Sequence, residues 1–292
     1  MDAAASRRTG RPPWPGGAHG ALCLSFDNLG EAAEIELGAL APDAAPCAHP
    51  SVTEALPAIL AALAARGLAA TFFVEGLNAE SYPEALGSIA AAGHEVAFHA
   101  WRHEEWAGLS VAEQSESLAR AAAAFGELGL EIAGIRPPGG GLGEGGLAVL
   151  RQAGLRYCSP AGAGAGAAEG LAILPFEWRH VDASSVLPPL ASVRERIAGS
   201  PDPLPPSAFL AFLEGEIDRL SGEGGFATFV LHPFMLAWLE TERLEALLDR
   251  AAEARDGGLW VGRCDEVAGH VLSHAKDFCD GSILDATSWA ST

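Results

Sequence analysis

Residues 21–28, Ala-Leu-Cys-Leu-Ser-Phe-Asp-Asn, decide the fold class of this chain. The first six of them are mostly apolar and have the length of a β-strand, and the polar pair Asp27 and Asn28 follows at once. The same arrangement, an apolar run that ends in polar residues, returns several times further along the chain. In parallel α/β folds, residues beyond the carboxyl ends of the strands are where the chemistry takes place.

Apolar runs of strand length alternate with amphipathic stretches of helical length along the whole chain. The predicted strands are residues 21–26, 70–75, 94–99, 132–136, 155–159, 171–176, 226–232 and 258–263. The predicted helices are residues 53–66, 83–92, 110–126, 144–153, 207–221, 240–256 and 264–275. This alternation predicts βαβ units around a parallel sheet. Seven or eight units favour a barrel, although an open doubly wound sheet has the same pattern.

The domain organisation is predicted to be simple, because no shift in composition marks a boundary. We expect a flexible N-terminal arm over residues 1–20, a single barrel domain over 21–275 and a C-terminal tail over 276–292. Three long connections, 31–52, 161–170 and 186–206, fall outside the pattern of strands and helices. The Gly/Ala-rich segment 161–170 is expected to be a mobile loop, and such connections are either functional lids or disordered.

The composition excludes several classes of protein. Of the 292 residues, 49% are apolar, which is too many for a disordered chain, and the net charge is −20. Nucleic acid and anionic membranes are excluded as partners, because Lys276 is the one lysine and no basic stripe exists. The expected partner is therefore a small-molecule substrate, and the sequence leaves homo-oligomerisation open.

The cysteines and the N-terminus together indicate a cytoplasmic protein. The five cysteines are scattered without a CxxC pair, as expected of reduced thiols in an intracellular protein. The first apolar run is too short for a signal peptide or a membrane span.

Titratable residues gather at the ends of the predicted strands. They are Asp27, the pair His99 and His103, Arg136, and His232. Taken singly, Asp27 could cap a segment, Arg136 could form a surface ion pair, and His232 could be a core histidine. The spacing of four between His99 and His103 would place both imidazoles on one face of a helical turn, which is a common arrangement for a metal pair. Their shared position at strand ends favours a functional site.

The order of these motifs resembles that of the polysaccharide deacetylase family, which is also called the NodB-homology family or carbohydrate esterase family four. Ser-Phe-Asp-Asn at 25–28 resembles the first family motif, His-Ala-Trp-Arg-His at 99–103 the second, and Arg-Pro-Pro-Gly-Gly at 136–140 the third. Leu231-His232 stands in place of the fifth, and residues 178–182 resemble a degenerate fourth. Within this family, the sequence most resembles the cytoplasmic branch of allantoinase-like and cyclic-imide hydrolases. The resemblance implies a distorted (β/α)7 barrel.

The resemblance also implies a role for each matching residue. Asp27 would be the general base that activates water, Arg136 would keep Asp27 ionised and aimed, and His232 would be the acid that protonates the leaving nitrogen. His99 and His103 would bind a divalent metal, zinc by preference, with cobalt, nickel or manganese as alternatives. A backbone N–H near Gly139 would help to bind the oxyanion.

Two positions depart from the family pattern. Asn28 stands where the family has its second aspartate, so it would be an uncharged third metal ligand, and the absence of a metal remains open. Glu31 could also take that place. Gly139 stands where an aromatic residue is usual, so Trp101, Trp106 or Trp178 would have to provide a stacking face for the substrate.

The predicted function is hydrolysis of a non-peptide C–N bond in a small soluble amide, such as an N-acylated amino sugar or a cyclic amide. Two alternatives remain: a non-hydrolytic or metal-free biosynthetic enzyme on the same barrel, and a binding protein that has lost catalysis. Asn28 is the residue that favours the alternatives. The joint presence of Asp27, Arg136 and His232 favours catalysis.

Overall fold

A computed structural model describes residues 14–41, 43, 47–278 and 282–284. The sheet strands within this part are β1 (Gly20–Asp27), β2 (Thr71–Val74), β3 (Glu95–Phe98), β4 (Gly134–Ile135), β5 (Tyr157–Cys158), β6 (Gly162–Gly164), β7 (Gly166–Ala168), β8 (Leu171–Ile173), β9 (Gly225–Leu231), β10 (Trp260–Gly262) and β11 (Ser282–Leu284). Each predicted strand overlaps one of these, so the predicted positions of the sheet are confirmed.

The helices surround the sheet. They are α1 (Ala32–Glu36), α2 (Leu56–Ala65), α3 (Leu77–Ser81), α4 (Pro83–Ala91), α5 (Val111–Glu127), α6 (Gly146–Gln152), α7 (Asp182–Val186), α8 (Ala191–Ala198), α9 (Pro206–Glu223), α10 (Leu236–Leu239), α11 (Thr241–Asp256), α12 (Cys264–Ser273) and α13 (Ala275–Phe278). A π-helical turn, Ser51–Ala55, leads into α2. A capping box starts α5, because Ser110 accepts from the Glu113 N–H and Glu113 accepts from the Ser110 N–H.

The sheet curls into the distorted barrel that was predicted. Strand β1 lies at its centre: β9 pairs with one edge along the whole strand, while β10 and β2 share the other edge. From β2 the sheet continues in parallel through β3, β4, β5 and β8. An isolated parallel bridge between Val181 and Val230 connects the chain beyond β8 to β9. The carboxyl ends of the parallel strands therefore meet at one rim.

Two apolar layers hold this rim in place. One lies between the sheet and the outer helices and includes Phe26, Phe72 and Phe98, which are almost completely buried. The other fills the inside of the barrel and includes Phe73 and Tyr157. Because successive residues of a strand point to opposite faces, Asp27 and Phe73 reach the interior while Phe26 and Phe72 face the helices.

The long connections differ in part from expectation. Residues 161–170 were expected to be a mobile loop, but they contain β6 and β7, which pair with β11 and β8. The Pro-rich segment 186–206, which fell outside the predicted helices, contains the short helix α8. Residues 1–13 of the expected arm lie outside the described residues, whereas Trp14 is buried against Phe226. The division into arm, domain and tail stays a prediction.

Two further features bear on the sequence-based expectations. The described cysteines, Cys23, Cys47, Cys158 and Cys264, form no disulfide bond with one another. Among the described residues, no helix is both long enough and apolar enough to cross a membrane.

Candidate active site

The ends of four strands bring the predicted site residues to one rim of the barrel. Asp27 ends β1, His99 follows β3, Arg136 follows β4 and His232 follows β9. His103 lies with its ring centre 4.9 Å from that of His99. Parallel strands produce this convergence, because all of their carboxyl ends point the same way.

Asp27 and Arg136 form a buried ion pair. The Arg136 Nη1 atom lies 2.6 Å from Asp27 Oδ1, and the side chains are only 1% and 3% exposed. The same Nη1 also donates to the Ser25 hydroxyl at 2.7 Å, while Nε and Nη2 donate to the Ser159 hydroxyl at 3.2 and 3.0 Å. The guanidinium lies over the ring of Phe73. Arg136 therefore binds only the Oδ1 atom of Asp27. The other carboxyl oxygen, Asp27 Oδ2, lies 3.9 Å from His99 Nε2.

Burial is the main influence on the pKa of Asp27. Burial raises the pKa of this carboxyl, and the opposing effects of Arg136 and His232 offset burial only in part. Arg136, which the resemblance implied would keep Asp27 ionised, does lower this pKa, but by less than burial raises it. A raised pKa brings a carboxylate closer to the range in which it is an effective general base.

The two histidines of the HxxxH motif are neutral imidazoles. Burial lowers the pKa of His99 and of His103 to about 3. The carbonyl oxygen of Arg136 lies 2.7 Å from His99 Nδ1 and can only accept, so Nδ1 carries the proton. His99 Nε2 therefore presents its lone pair, the usual arrangement for an imidazole that binds a metal.

Backbone strain marks the same loops. Asn28, Ala100 and His103 have φ values of 61°, 63° and 77°, a region that non-glycine residues rarely adopt. Each lies directly beyond β1 or β3 or within the turn that follows. Strain of this kind is found where the surrounding structure fixes a functional geometry.

The donor chemistry at this rim fits a divalent cation. Asn28 Oδ1 is buried and has no hydrogen-bond partner in the part of the chain that the structure describes. Together with the two neutral imidazoles it forms a set of two nitrogen donors and one oxygen donor. Within the described ranges, no group of three His, Cys, Asp or Glu side chains could hold a metal ion. A cation here would therefore depend on the amide of Asn28.

His232 is held by a buried carboxylate. Asp182, at the start of α7, accepts from His232 Nδ1 at 2.5 Å and from the His232 backbone N–H at 2.8 Å. Burial alone would lower the pKa of His232, but the charge and hydrogen bond of Asp182, together with the charge of Asp27, leave the pKa raised. An imidazole with a raised pKa remains protonated to higher pH, as a general acid requires.

We expect the substitution Asp182→Asn to lower the pKa of His232, because it removes the carboxylate that stabilises the imidazolium. NMR titration of the histidine ring protons in both proteins would measure the change. His180 provides a control in the same spectra: it lies 3.9 Å from Glu216, and burial lowers its pKa to about 4. An unchanged pKa of His232 would show that Asp182 does not set its charge.

The loop after Arg136 offers a backbone donor. Gly139 and Gly140 both have left-handed φ values, 76° and 78°. The Gly140 N–H donates to Pro137, whereas the Gly139 N–H makes no hydrogen bond to another described residue. A side chain at Gly140 would collide with Ala161, since its Cβ would lie 2.6 Å from that of Ala161. The glycines thus let the loop approach the site closely.

The tryptophans suggested as stacking faces are mostly buried. Trp101 is 5% exposed and its ring lies under the Arg120 guanidinium, at 3.5 Å. Trp106 is fully buried in the core beside Phe98. Trp178 is 8% exposed and packs edge-on against Phe176. The substrate roles of Trp101 and Trp178 stay predictions.

Sequence reasoning gave no role to several residues that complete this site. Ser159 binds Arg136, Asp182 binds His232, and Phe234 places a ring that is 38% exposed against the His232 imidazole. Glu31, the alternative ligand, is instead bound by the Tyr82 hydroxyl at 2.5 Å. The signal for Asp182 was present, because residues 178–182 resembled a family motif.

Comparison with known proteins places the fold among polysaccharide deacetylases. The sequence model of the family described as polysaccharide deacetylase matches residues 37–158. That range contains His99, His103 and Arg136 but not Asp27 or His232. The resemblance drawn from the sequence is confirmed by this match over residues 37–158, and the fold is of the NodB type.

Solved structures share this fold over almost the full chain. A provisionally assigned polysaccharide deacetylase from Mycobacterium smegmatis is 24% identical, with a TM-score of 0.73 over 94% of this chain and 96% of that one. Puue allantoinase is 19% identical, with a TM-score of 0.72 over 92% and 96%. A probable polysaccharide deacetylase from Pseudomonas aeruginosa PAO1 is 20% identical, with a TM-score of 0.71 over 91% and 95%.

Proposed function

We propose that this protein is a metal-dependent hydrolase that cleaves the amide C–N bond of a small substrate, such as an N-acylated amino sugar or a cyclic amide. The observation that carries the proposal is a carboxylate and an imidazole at one rim, each bound to a buried group of opposite charge. Asp27 is a carboxylate held by a buried arginine, and His232 is an imidazole held by a buried carboxylate. Two titratable groups tuned in this way are typical of a matched base and acid.

His99, His103 and Asn28 would hold the divalent ion. When bound, such an ion polarises a carbonyl group and lowers the pKa of water towards about 7. Zinc suits two imidazoles and one oxygen, and cobalt, nickel and manganese accept the same donors. The other steps follow from the residues of the chain.

Asp27 takes the proton from the attacking water. Its Oδ1 is committed to Arg136, so Oδ2 is the oxygen that is available for proton transfer. As the new C–O bond forms, negative charge develops on the carbonyl oxygen of the substrate. The free N–H of Gly139 is suited to receive that charge, as backbone donors of an oxyanion hole do.

His232 supplies the proton that the leaving nitrogen needs. Asp182 occupies Nδ1, so Nε2 is the atom that can deliver the proton. The C–N bond then breaks and the products are a carboxylic acid and an amine. The positive charge of His232 also lowers the pKa of Asp27, which couples acid and base within one site.

We expect the purified protein to bind about one divalent transition-metal ion per chain, and His99→Ala to lose it. The neutral Nε2 of His99 is the donor whose removal should weaken binding most directly. Elemental analysis after supply of zinc, cobalt or nickel and removal of excess ion would measure this. A metal-free wild type would contradict the metal-dependent reaction and favour the metal-free alternative.

The activity itself is tested on a panel of N-acetylated amino sugars, simple acetamides and cyclic imides. Release of amine or acid is followed with the metal-loaded protein. His232→Gln serves as the matched inactive control, because it removes the acid while keeping a side chain of similar size. Equal rates for wild type and His232→Gln would contradict the proposed mechanism.

A further inference from the structure

Glu75 is a buried carboxyl at the rim that the proposed reaction does not use. It follows β2 directly, and β2 lies between β1 and β3. Glu75 is therefore placed between the strand ends that carry Asn28 and His99. Its side chain is fully buried.

The contacts of Glu75 place its carboxyl against the turn that contains Asn28. Glu75 Oε2 accepts from the Leu29 N–H at 3.3 Å and from Asn78 Nδ2 at 3.0 Å. Asn78 Nδ2 also donates to the Leu29 carbonyl at 2.8 Å. The Leu29 N–H belongs to the peptide group that joins Asn28 to Leu29, so one peptide group links the carboxyl to Asn28.

Two oxygen atoms, one on this turn and one on the carboxyl packed against it, have no hydrogen-bond donor in the described part of the chain. They are Glu75 Oε1 and Asn28 Oδ1, and both are buried. A buried acceptor without a partner costs free energy. A cation is the type of partner that would satisfy such oxygen atoms.

The cation site as described contains no negative charge among its candidate ligands. The imidazoles of His99 and His103 are neutral, and Asn28 is an amide. Burial raises the pKa of Glu75 to about 8. A carboxylate is costly in such a place unless a positive charge lies near it.

We infer that Glu75 supplies to the cation site, across the Asn28–Leu29 peptide, the negative charge that residue 28 does not bring because it is an amide. The inference rests on the proposed function, since it places a divalent ion at His99, His103 and Asn28. Glu75 is a positioning residue: it contacts the turn that carries a ligand. Groups in this position change metal affinity by about 10–100-fold in other proteins.

The turn is packed tightly enough for a charge substitution to leave its shape intact. A Cβ atom at Gly30 would lie 2.5 Å from the Tyr82 ring and 2.7 Å from Asn78 Oδ1. In Glu75→Gln, the amide oxygen can still accept from Leu29 and Asn78. This variant therefore removes the charge and keeps both hydrogen bonds.

The experiment is a titration of metal-stripped protein with Co²⁺ against a chelator at pH 8. Glu75→Gln should weaken Co²⁺ binding by about 10–100-fold. The double variant Asn28→Asp/Glu75→Gln should recover most of the lost affinity, because the charge returns at residue 28. Glu95→Gln is the matched control: Glu95 is also a buried carboxyl, held by Thr71 and Tyr157 at the opposite end of β3.

Each of the following four outcomes of the titration would overturn the inference about Glu75. Unchanged Co²⁺ affinity in Glu75→Gln would refute it and leave the proposed function intact. Failure of Asn28→Asp to rescue would show that Glu75 acts on shape instead of charge. Equal losses in Glu75→Gln and Glu95→Gln would indicate a general effect on the fold. A wild type that binds no Co²⁺ would refute the metal site itself, which separates this failure from the others.

Discussion

Replacing Asp27 with Asn should lower the rate of amide hydrolysis by about 10²–10⁴-fold. The amide keeps the size of the carboxylate and can still accept the hydrogen bond that Arg136 donates at 2.6 Å. It cannot take a proton from water, so the attacking oxygen stays a poor nucleophile. The measurement is kcat on whichever small amide the wild-type protein cleaves fastest.

The control for this substitution is Asp265→Asn, which changes another arginine-paired carboxylate. Asp265 lies 3.0 Å from Arg263 at the start of α12, beyond the amino-terminal end of β3. The substitution Asp265→Asn should leave kcat unchanged. Bound metal is measured in both variants, since loss of metal in Asp27→Asn would identify Asp27 as a ligand instead of the base. Full activity in Asp27→Asn would contradict the assignment altogether.

The barrel could be predicted because each of its main strands corresponds to a contiguous apolar run in the sequence. Residues 21–26 can be recognised as a strand from the local sequence, since they are mostly apolar and lead directly into polar residues. Residues 161–170 carry no such pattern, because glycine disfavours both helix and strand, and alanine, a helix former, is depleted in strands. Strand β6 forms there because Gly164 pairs with Ser282. A partner so distant in the sequence cannot be read from local composition.

The candidate site likewise contains residues that local sequence predicts and residues that it does not. Asp27, His99, Arg136 and His232 could be proposed because each ends a recognisable strand and matches a motif. The groups that set their chemistry could not be read from local sequence, because they come from distant segments. Asp182, for example, binds His232 from 50 positions away. The direction of the Asp27 pKa depends on burial, which the sequence does not reveal.

Arg136→Met should lower the free energy of unfolding by about 3–5 kcal/mol. The guanidinium is 1% exposed, and its loss leaves the buried Asp27 carboxyl without its counter-ion. Ser25 and Ser159 lose their donors as well. Chemical denaturation of both proteins would measure the difference. Arg66→Met is the control: Arg66 pairs with the largely exposed Asp249, and exposed pairs contribute little.

The decrease in the free energy of unfolding caused by Arg136→Met should depend on pH and on the charge of Asp27. Without its arginine, Asp27 keeps the upward effect of burial on its pKa, so its folded-state pKa lies further above the unfolded value. Such a group stabilises the fold at low pH and loses that contribution as pH rises through the folded pKa. The deficit should therefore grow with pH. Asp27→Asn/Arg136→Met should be more stable than Arg136→Met, because the unpaired charge is gone. If the double variant is instead the less stable of the two, the cost lies in packing around Phe73 and not in the charge of Asp27.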